Sequence, residues 1–229
     1  TLYAFGKDLV LYRTASGEAR LIDAYCPHLG AHIGAGGKVD GDGIRCPFHG
    51  WRFDGASGRC TDIPYTDDDR IPPGAEVRSY PVVERDHTVW AWHHLEGGDP
   101  FYEVPEVPEF DDPDWLPYEV KTFEIATCIQ EMAENDADFA HFKYVHQVPI
   151  VPLFTKQEFE EPIALVDFTI TFDDADEGGK IEDINSGVNA FNCGLGLAVT
   201  KSWGMIDNRT ASAVTPVDDE TCDVRFSVW

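Results

Sequence analysis

Positive charge is scarce in this chain. Its 229 residues carry 17 Lys and Arg against 42 Asp and Glu, a formal net charge of −25. Such a surface repels phosphate backbones and anionic headgroups, which argues against nucleic-acid and membrane-surface binding. A charged partner must present a basic face; adaptation to high salt is the other reading of the same acidity. No apolar run approaches the ~20 residues that a membrane span needs, and no secretory leader is visible. Internal repeats are absent as well. The chain starts at Thr1 without an initiator Met and stops at Trp229 inside a strand-like run, which reads as part of a longer protein.

What is present is enough for a real core. Hydrophobic residues make up 43% and aromatics 12% of the sequence, so disorder is not the default. Residues 1 to about 100 read as short strands with frequent turns: Asp8–Arg13, Ala19–Ala24, Val77–Val83 and Thr88–His93. Five prolines between Gly97 and Pro117 forbid a helix and favour an extended linker. Beyond it, Tyr118–Thr127 reads as a strand and Ile129 to about Val145 as a helix. Glu160–Phe172 and Gly187–Trp203 read as strands of an antiparallel sheet, with an acidic hairpin tip over Asp173–Gly179. The expected domains are 1–100, a Pro- and acid-rich linker over 101–117, and a partial second domain over 118–229.

Two short runs carry the chemistry, Cys26-Pro27-His28-Leu29-Gly30 and Cys46-Pro47-Phe48-His49-Gly50-Trp51. Each offers one thiolate and one imidazole. Two Cys and two His suit a structural zinc site, and equally a [2Fe–2S] cluster in which His replaces Cys on one iron. The Gly- and Pro-rich surroundings favour the cluster, because backbone N–H groups in such loops can point at bridging sulfides. His32 reads as a neighbour rather than a ligand, and His87, His93 and His94 as surface or strand-end residues. Cys60, Cys128, Cys193 and Cys222 are scattered singly and read as buried thiols of a reducing compartment, hence a cytoplasmic location.

A second constellation lies on the expected helix. Asn135, Asp138 and His141 recur every third residue along one face. His146 is five residues after His141, which turns it about 140° away on a regular helix. For both imidazoles to meet one ion, the helix must end or widen near Tyr144, as a π-bulge does. Two His and a carboxylate with open positions suit mononuclear non-haem Fe(II). Taken alone, two such histidines are weak evidence of a metal site.

The two loops resemble the Rieske iron–sulfur motif. Ala31 and Phe48 stand where high-potential Rieske proteins carry an additional disulfide, so a lower potential is expected. The run Asn135-x-x-Asp138-x-x-His141-x4-His146 resembles the corresponding segment of Rieske non-haem iron oxygenases. The first loop is similar to the cholesterol 7-desaturase group, and His141-Phe142-x-Tyr144-Val145-His146 to the 3-ketosteroid 9α-hydroxylases. The resemblance implies an α+β fold: an all-β Rieske domain followed by a helix-grip domain, an antiparallel sheet wrapped on a long helix. It implies that Cys26, His28, Cys46 and His49 hold the cluster and that His141 and His146 hold Fe(II). Asp138 would link the metal centres of neighbouring subunits in a head-to-tail homotrimer, its carboxylate accepting an N–H from each flanking imidazole. Asn135 would sit close to the iron. The third iron ligand would fall beyond Trp229.

Function follows from the same resemblance. It is that of a terminal oxygenase, fed with electrons from NAD(P)H through a flavin/iron–sulfur reductase or ferredoxin. The oxygenase would hydroxylate or desaturate a C–H bond of a hydrophobic, steroid-like small molecule. An aromatic substrate is one alternative. A Rieske electron carrier with an unrelated C-terminal domain is another.

Overall fold

The computed structural model describes residues 1–66, 70–147, 151–172, 184–204 and 207–229. The chain forms two compact units, Thr1–Glu103 and Val104–Trp229.

Unit 1 is built from short strands. β1 (Leu2–Ala4), β2 (Lys7–Arg13) and β3 (Ala19–Asp23) form an antiparallel meander. β4 (Lys38–Asp40), β5 (Gly43–Arg45), β6 (Arg52–Asp54) and β7 (Cys60–Asp62) form a second four-stranded sheet in that order. β8 (Ser79–Tyr80) pairs with β3, and β9 (Val82–Arg85) pairs with β10 (Thr88–Ala91). The strand expected over Val77–Val83 therefore divides at Pro81, which has no N–H to donate to a ladder. Val10, Ile22, Ile33, Ile44 and Phe53 fill the core, and Cys26 and Cys46 belong to the same cluster. Phe53 is fully buried. Phe53→Ala should lower the unfolding free energy by about 3–5 kcal/mol. Chemical denaturation followed by tryptophan fluorescence measures it, and a loss under about 1 kcal/mol would mean that this core is not a packed one.

Unit 2 is dominated by one antiparallel sheet of seven strands. These are β11 (Glu119–Ile125), β12 (Leu153–Glu160), β13 (Ile163–Phe172), β14 (Ile184–Cys193), β15 (Leu197–Trp203), β16 (Asn208–Pro216) and β17 (Cys222–Val228). The spatial order is β11-β17-β16-β15-β14-β13-β12. Consecutive strands from β12 to β17 are neighbours, so β11 and β12 end up on opposite edges. The chain between them must cross one face of the sheet. It does so through α1 (Ile129–Glu134), a 3-10 turn over Asn135–Ala137 and α2 (Ala140–Tyr144).

The helix expected over 129–145 thus forms as three short pieces. The break falls at Asp138, whose φ of −88° and ψ of 92° are extended rather than helical. Packing explains the division, because the segment spans a whole sheet face. Ile129 and Met132 pack on Val214, Cys222 and Val224, whereas Phe142 packs on Val166 and Phe168. The strand expected over Glu160–Phe172 is β13, which starts later, at Ile163, after the β12–β13 turn, whereas Gly187–Trp203 reads two strands as one stretch and contains the hairpin turn at Gly194. β16 and most of β12 were not anticipated. The acidic tip at 173–179 lies outside the described residues. The acid-rich stretch is not a free spacer throughout: Glu109 accepts a 2.6 Å hydrogen bond from the buried Arg209, which also stacks on Trp115. Among the described residues, no helix is long and apolar enough to cross a membrane.

Candidate metal centres

The first centre is assembled in unit 1 by two loops of matching geometry. The Cys26 N–H donates to the Ala31 carbonyl at 2.9 Å, and the Gly30 N–H to the Cys26 carbonyl at 2.9 Å. In the second loop the Cys46 N–H donates to the Trp51 carbonyl at 2.9 Å, and the Gly50 N–H to the Cys46 carbonyl at 3.1 Å. Each turn closes on a glycine with positive φ, 72° at Gly30 and 76° at Gly50, where an L side chain is strained. At Gly50 a Cβ would also lie 2.9 Å from Pro64 Cγ. The glycines are therefore required by the turns.

These turns bring four predicted ligands into one place. Cys26 and Cys46 are buried; burial pushes the Cys26 thiol up to about 11, and the neighbouring Cys46 thiol adds to the rise. The His28 and His49 rings lie 4.7 Å apart between centroids. His28 stacks on the Trp51 indole at 4.6 Å and 5°, and the indole N–H is held by Tyr65 Oη at 2.7 Å. His28 Nδ1 is buried and, among the described residues, has no hydrogen-bond partner. An orphaned ring nitrogen beside a thiol pair fits a metal ligand. The donors form two pairs, the two thiols together and the two imidazoles together. Two irons with two ligands each suit the observed pairing. The residues fit a [2Fe–2S] cluster.

The stacking of Trp51 and the clasp of Tyr65 were not foreseen. Only the position of Trp51 directly after the second ligand loop hinted at the first. Cys60 is buried in the same core with its Sγ turned to the Asp62 carbonyl at 3.6 Å. His93 is a packing residue, stacked on Phe5 at 4.2 Å.

The second centre lies in unit 2, at the two ends of α2. The Val145 N–H bonds the His141 carbonyl at 2.7 Å, and the His146 N–H reaches the same carbonyl at 3.4 Å. That second bond spans five residues, so the turn widens at the place the sequence required. The two imidazoles end 5.1 Å apart between centroids. Asp138 starts the helix: its Oδ1 accepts the N–H of Ala140 at 3.0 Å and of His141 at 3.4 Å. Its main-chain carbonyl lies against His141 Nδ1 at hydrogen-bond distance. A carbonyl only accepts, so Nδ1 carries the proton and Nε2 is left as the ligand atom.

This corrects one expected detail. Within this chain His141 is oriented by the Asp138 carbonyl, whereas the carboxylate Oδ2 stands 3.9 Å from Nδ1 and is exposed. Asn135 caps α1 and is exposed; its carbonyl receives the Asp138 N–H at 3.2 Å. The two histidines are the metal-binding groups gathered here among the described residues, and no third ligand joins them.

Unit 2 also holds a cavity of about 240 Å³, lined by Gln130, Ala133, Phe159, Val166, Ala190 and Asn192 among others. It lies between α1 and strands β12–β14. Val166 and Ala190 also belong to the cluster on which Phe142, the neighbour of His141, is packed.

The paired Cys–His loops define an iron–sulfur protein of the Rieske class, and residues 1–81 match the Rieske [2Fe-2S] domain. Residues 91–229 match the 3-ketosteroid 9alpha-hydroxylase C-terminal domain, more than half of the sequence, and the chain belongs to that family. A cholesterol 7-desaturase of Xenopus laevis is 42% identical over 141 residues, covering 62% of this chain and 31% of the relative. The oxygenase component of a 3-ketosteroid-9-alpha-monooxygenase of Rhodococcus rhodochrous is 38% identical over 165 residues, covering 70% of this chain and 41% of the relative. The chain thus spans less than half the length of these relatives. Dicamba monooxygenase shares the fold, with a TM-score of 0.72 at 21% identity over 99% of this chain and 70% of that one.

Proposed function

We propose that the chain is part of the terminal oxygenase component of a Rieske non-haem iron monooxygenase that hydroxylates or desaturates a C–H bond of a steroid-like substrate. The observation that carries this reading is the joining, in one chain, of the paired Cys–His loops with two imidazoles converging at the ends of α2. Residues 1–100 act as the Rieske domain and 118–229 as part of a helix-grip catalytic domain, with 101–117 between them.

Cys26, His28, Cys46 and His49 hold the cluster, and His141 and His146 hold Fe(II). When bound, these groups supply single-electron relay and O₂-dependent oxidation of the C–H bond. The protein's part is positional. Asp138 fixes the tautomer and orientation of His141 through its carbonyl. Its exposed carboxylate is free to accept an N–H from a cluster histidine of a neighbouring subunit, as a head-to-tail homotrimer requires. Asn135 stands one turn earlier as a polar neighbour. The apolar cavity beside α1 orients a hydrophobic small molecule.

The identities to the cholesterol desaturase and the 3-ketosteroid monooxygenase support a steroid over an aromatic substrate. Electrons from NAD(P)H enter through a reductase or ferredoxin with a basic docking face, matching the net charge of −25. Cys60, Cys128 and Cys222 form no disulfide, which supports a reducing, cytoplasmic setting.

The test is metal and sulfide content of the protein purified without oxygen. About three irons and two acid-labile sulfides per chain are expected, one iron more than a [2Fe–2S] cluster holds. Two irons and two sulfides, unchanged after Fe(II) is added, would leave an electron carrier and remove His141 and His146 from the reading.

A further inference from the structure

Trp51 follows the second ligand loop directly and is buried, with 7% of its surface exposed. Its indole lies parallel to the His28 ring, 4.6 Å away between centroids and tilted by only 5°. That separation admits no water between the two rings. The indole is held flat by its N–H, which donates to Tyr65 Oη at 2.7 Å. Tyr65 comes from the turn Ile63–Thr66, closed by the Thr66 N–H on the Ile63 carbonyl at 3.2 Å. Ile63 pins that turn in the core of unit 1. The Tyr65 ring also stands edge-on to His49, at 6.3 Å and 72°. Yet Tyr65 is 57% exposed, so burial gives it little reason to be there.

The reduced form of a one-electron centre carries one more negative charge than the oxidised form. Water beside the ligands stabilises that charge, so an apolar cover that excludes water lowers the reduction potential. The indole turns the negative face of its π system to the His28 ring, which works in the same direction. We propose that Tyr65 is a positioning residue: by holding the Trp51 indole over His28, it keeps the potential of the [2Fe–2S] centre low. The inference rests on His28 being a cluster ligand. It assigns the chain of contacts Tyr65–Trp51–His28 a part in setting how readily the centre takes up an electron.

The experiment is a spectroelectrochemical titration of the cluster-loaded protein at fixed pH. It compares the wild type, Tyr65→Phe, Trp51→Phe and the double variant. Tyr65→Phe removes only the hydroxyl that holds the indole. It should make the centre easier to reduce by about threefold in the equilibrium constant, close to 30 mV for one electron. Trp51→Phe keeps an aromatic face but has no N–H to be held, so in that background Tyr65→Phe should change nothing. A double-mutant cycle isolates this coupling. Acid-labile sulfide should match the wild type throughout. An unchanged potential in Tyr65→Phe, or an equal shift in both backgrounds, would overturn the proposal while leaving the cluster reading intact. Absence of sulfide from the wild type would bring down that reading and the inference together. Should Tyr65→Phe fail to hold the cluster, Trp51→Leu decides. It strips the aromatic face from His28 and should raise the constant about tenfold, ~59 mV; no rise there would overturn the role of the indole and of Tyr65 with it.

Discussion

His141→Ala should abolish turnover, with a fall of at least about a thousandfold. A bound metal is worth several kcal/mol of transition-state stabilisation, and each ~1.4 kcal/mol is a factor of ten. The structure says why this one residue should matter so much. Among the described residues only two side chains are gathered as ligands at the second centre, so losing one halves what this segment offers the ion. The expected signature is specific: iron per chain drops by one, whereas acid-labile sulfide and the visible absorbance of the cluster stay as they were. Packing should survive, because Phe142 rather than His141 anchors α2 on Val166 and Phe168. Retention of the full iron content with turnover intact would show that His141 is an ordinary helix residue.

Asp138→Asn is the second large effect, about 10- to 100-fold in turnover. The substitution is informative because of what it preserves. Asn accepts at the start of a helix as well as Asp does, so the bonds to the Ala140 and His141 N–H groups remain. The main-chain carbonyl that orients His141 is untouched. Only the negative charge of an exposed carboxylate is removed. Both metals should stay bound, and circular dichroism should be unchanged, while steroid-dependent oxygen consumption collapses. Wild-type consumption in this variant would show that the carboxylate carries no link between the centres. Asp138→Ala is a poorer probe, since it also removes the helix-starting acceptor at a cost of about 1 kcal/mol.

The cluster was legible in the sequence because its ligands are local. Four donors sit in two runs of five and six residues, and each run closes its own turn on a glycine, so the loops can be read locally, although the donor set by itself also suits zinc. The proposed iron site was legible in part. Spacing showed that the turn must widen after Tyr144, and the His146 N–H does reach back five residues. It could not show the break at Asp138, because that break comes from the sheet. Ile129 and Met132 are held over β16 and β17, and Phe142 over β13, and one straight helix does not meet both anchors. Strands were found where alternation was clean. Two were merged at Gly194, where a single glycine within a continuous apolar run carries the turn.

The five-residue α2 has a consequence of its own. A helix this short cannot stand on its own backbone bonds, since its nucleus alone costs more than so few bonds return. Its order is borrowed from the Phe142 contact and from Asp138 at its start. An ion held by the imidazoles at both of its ends would act as a clasp on the same turn. Metal affinity and local protection from hydrogen exchange then become two views of one equilibrium. Whatever loosens the underside of α2, such as a truncation at Phe168, against which Phe142 packs edge-on at 4.7 Å, should be felt as weaker retention of iron.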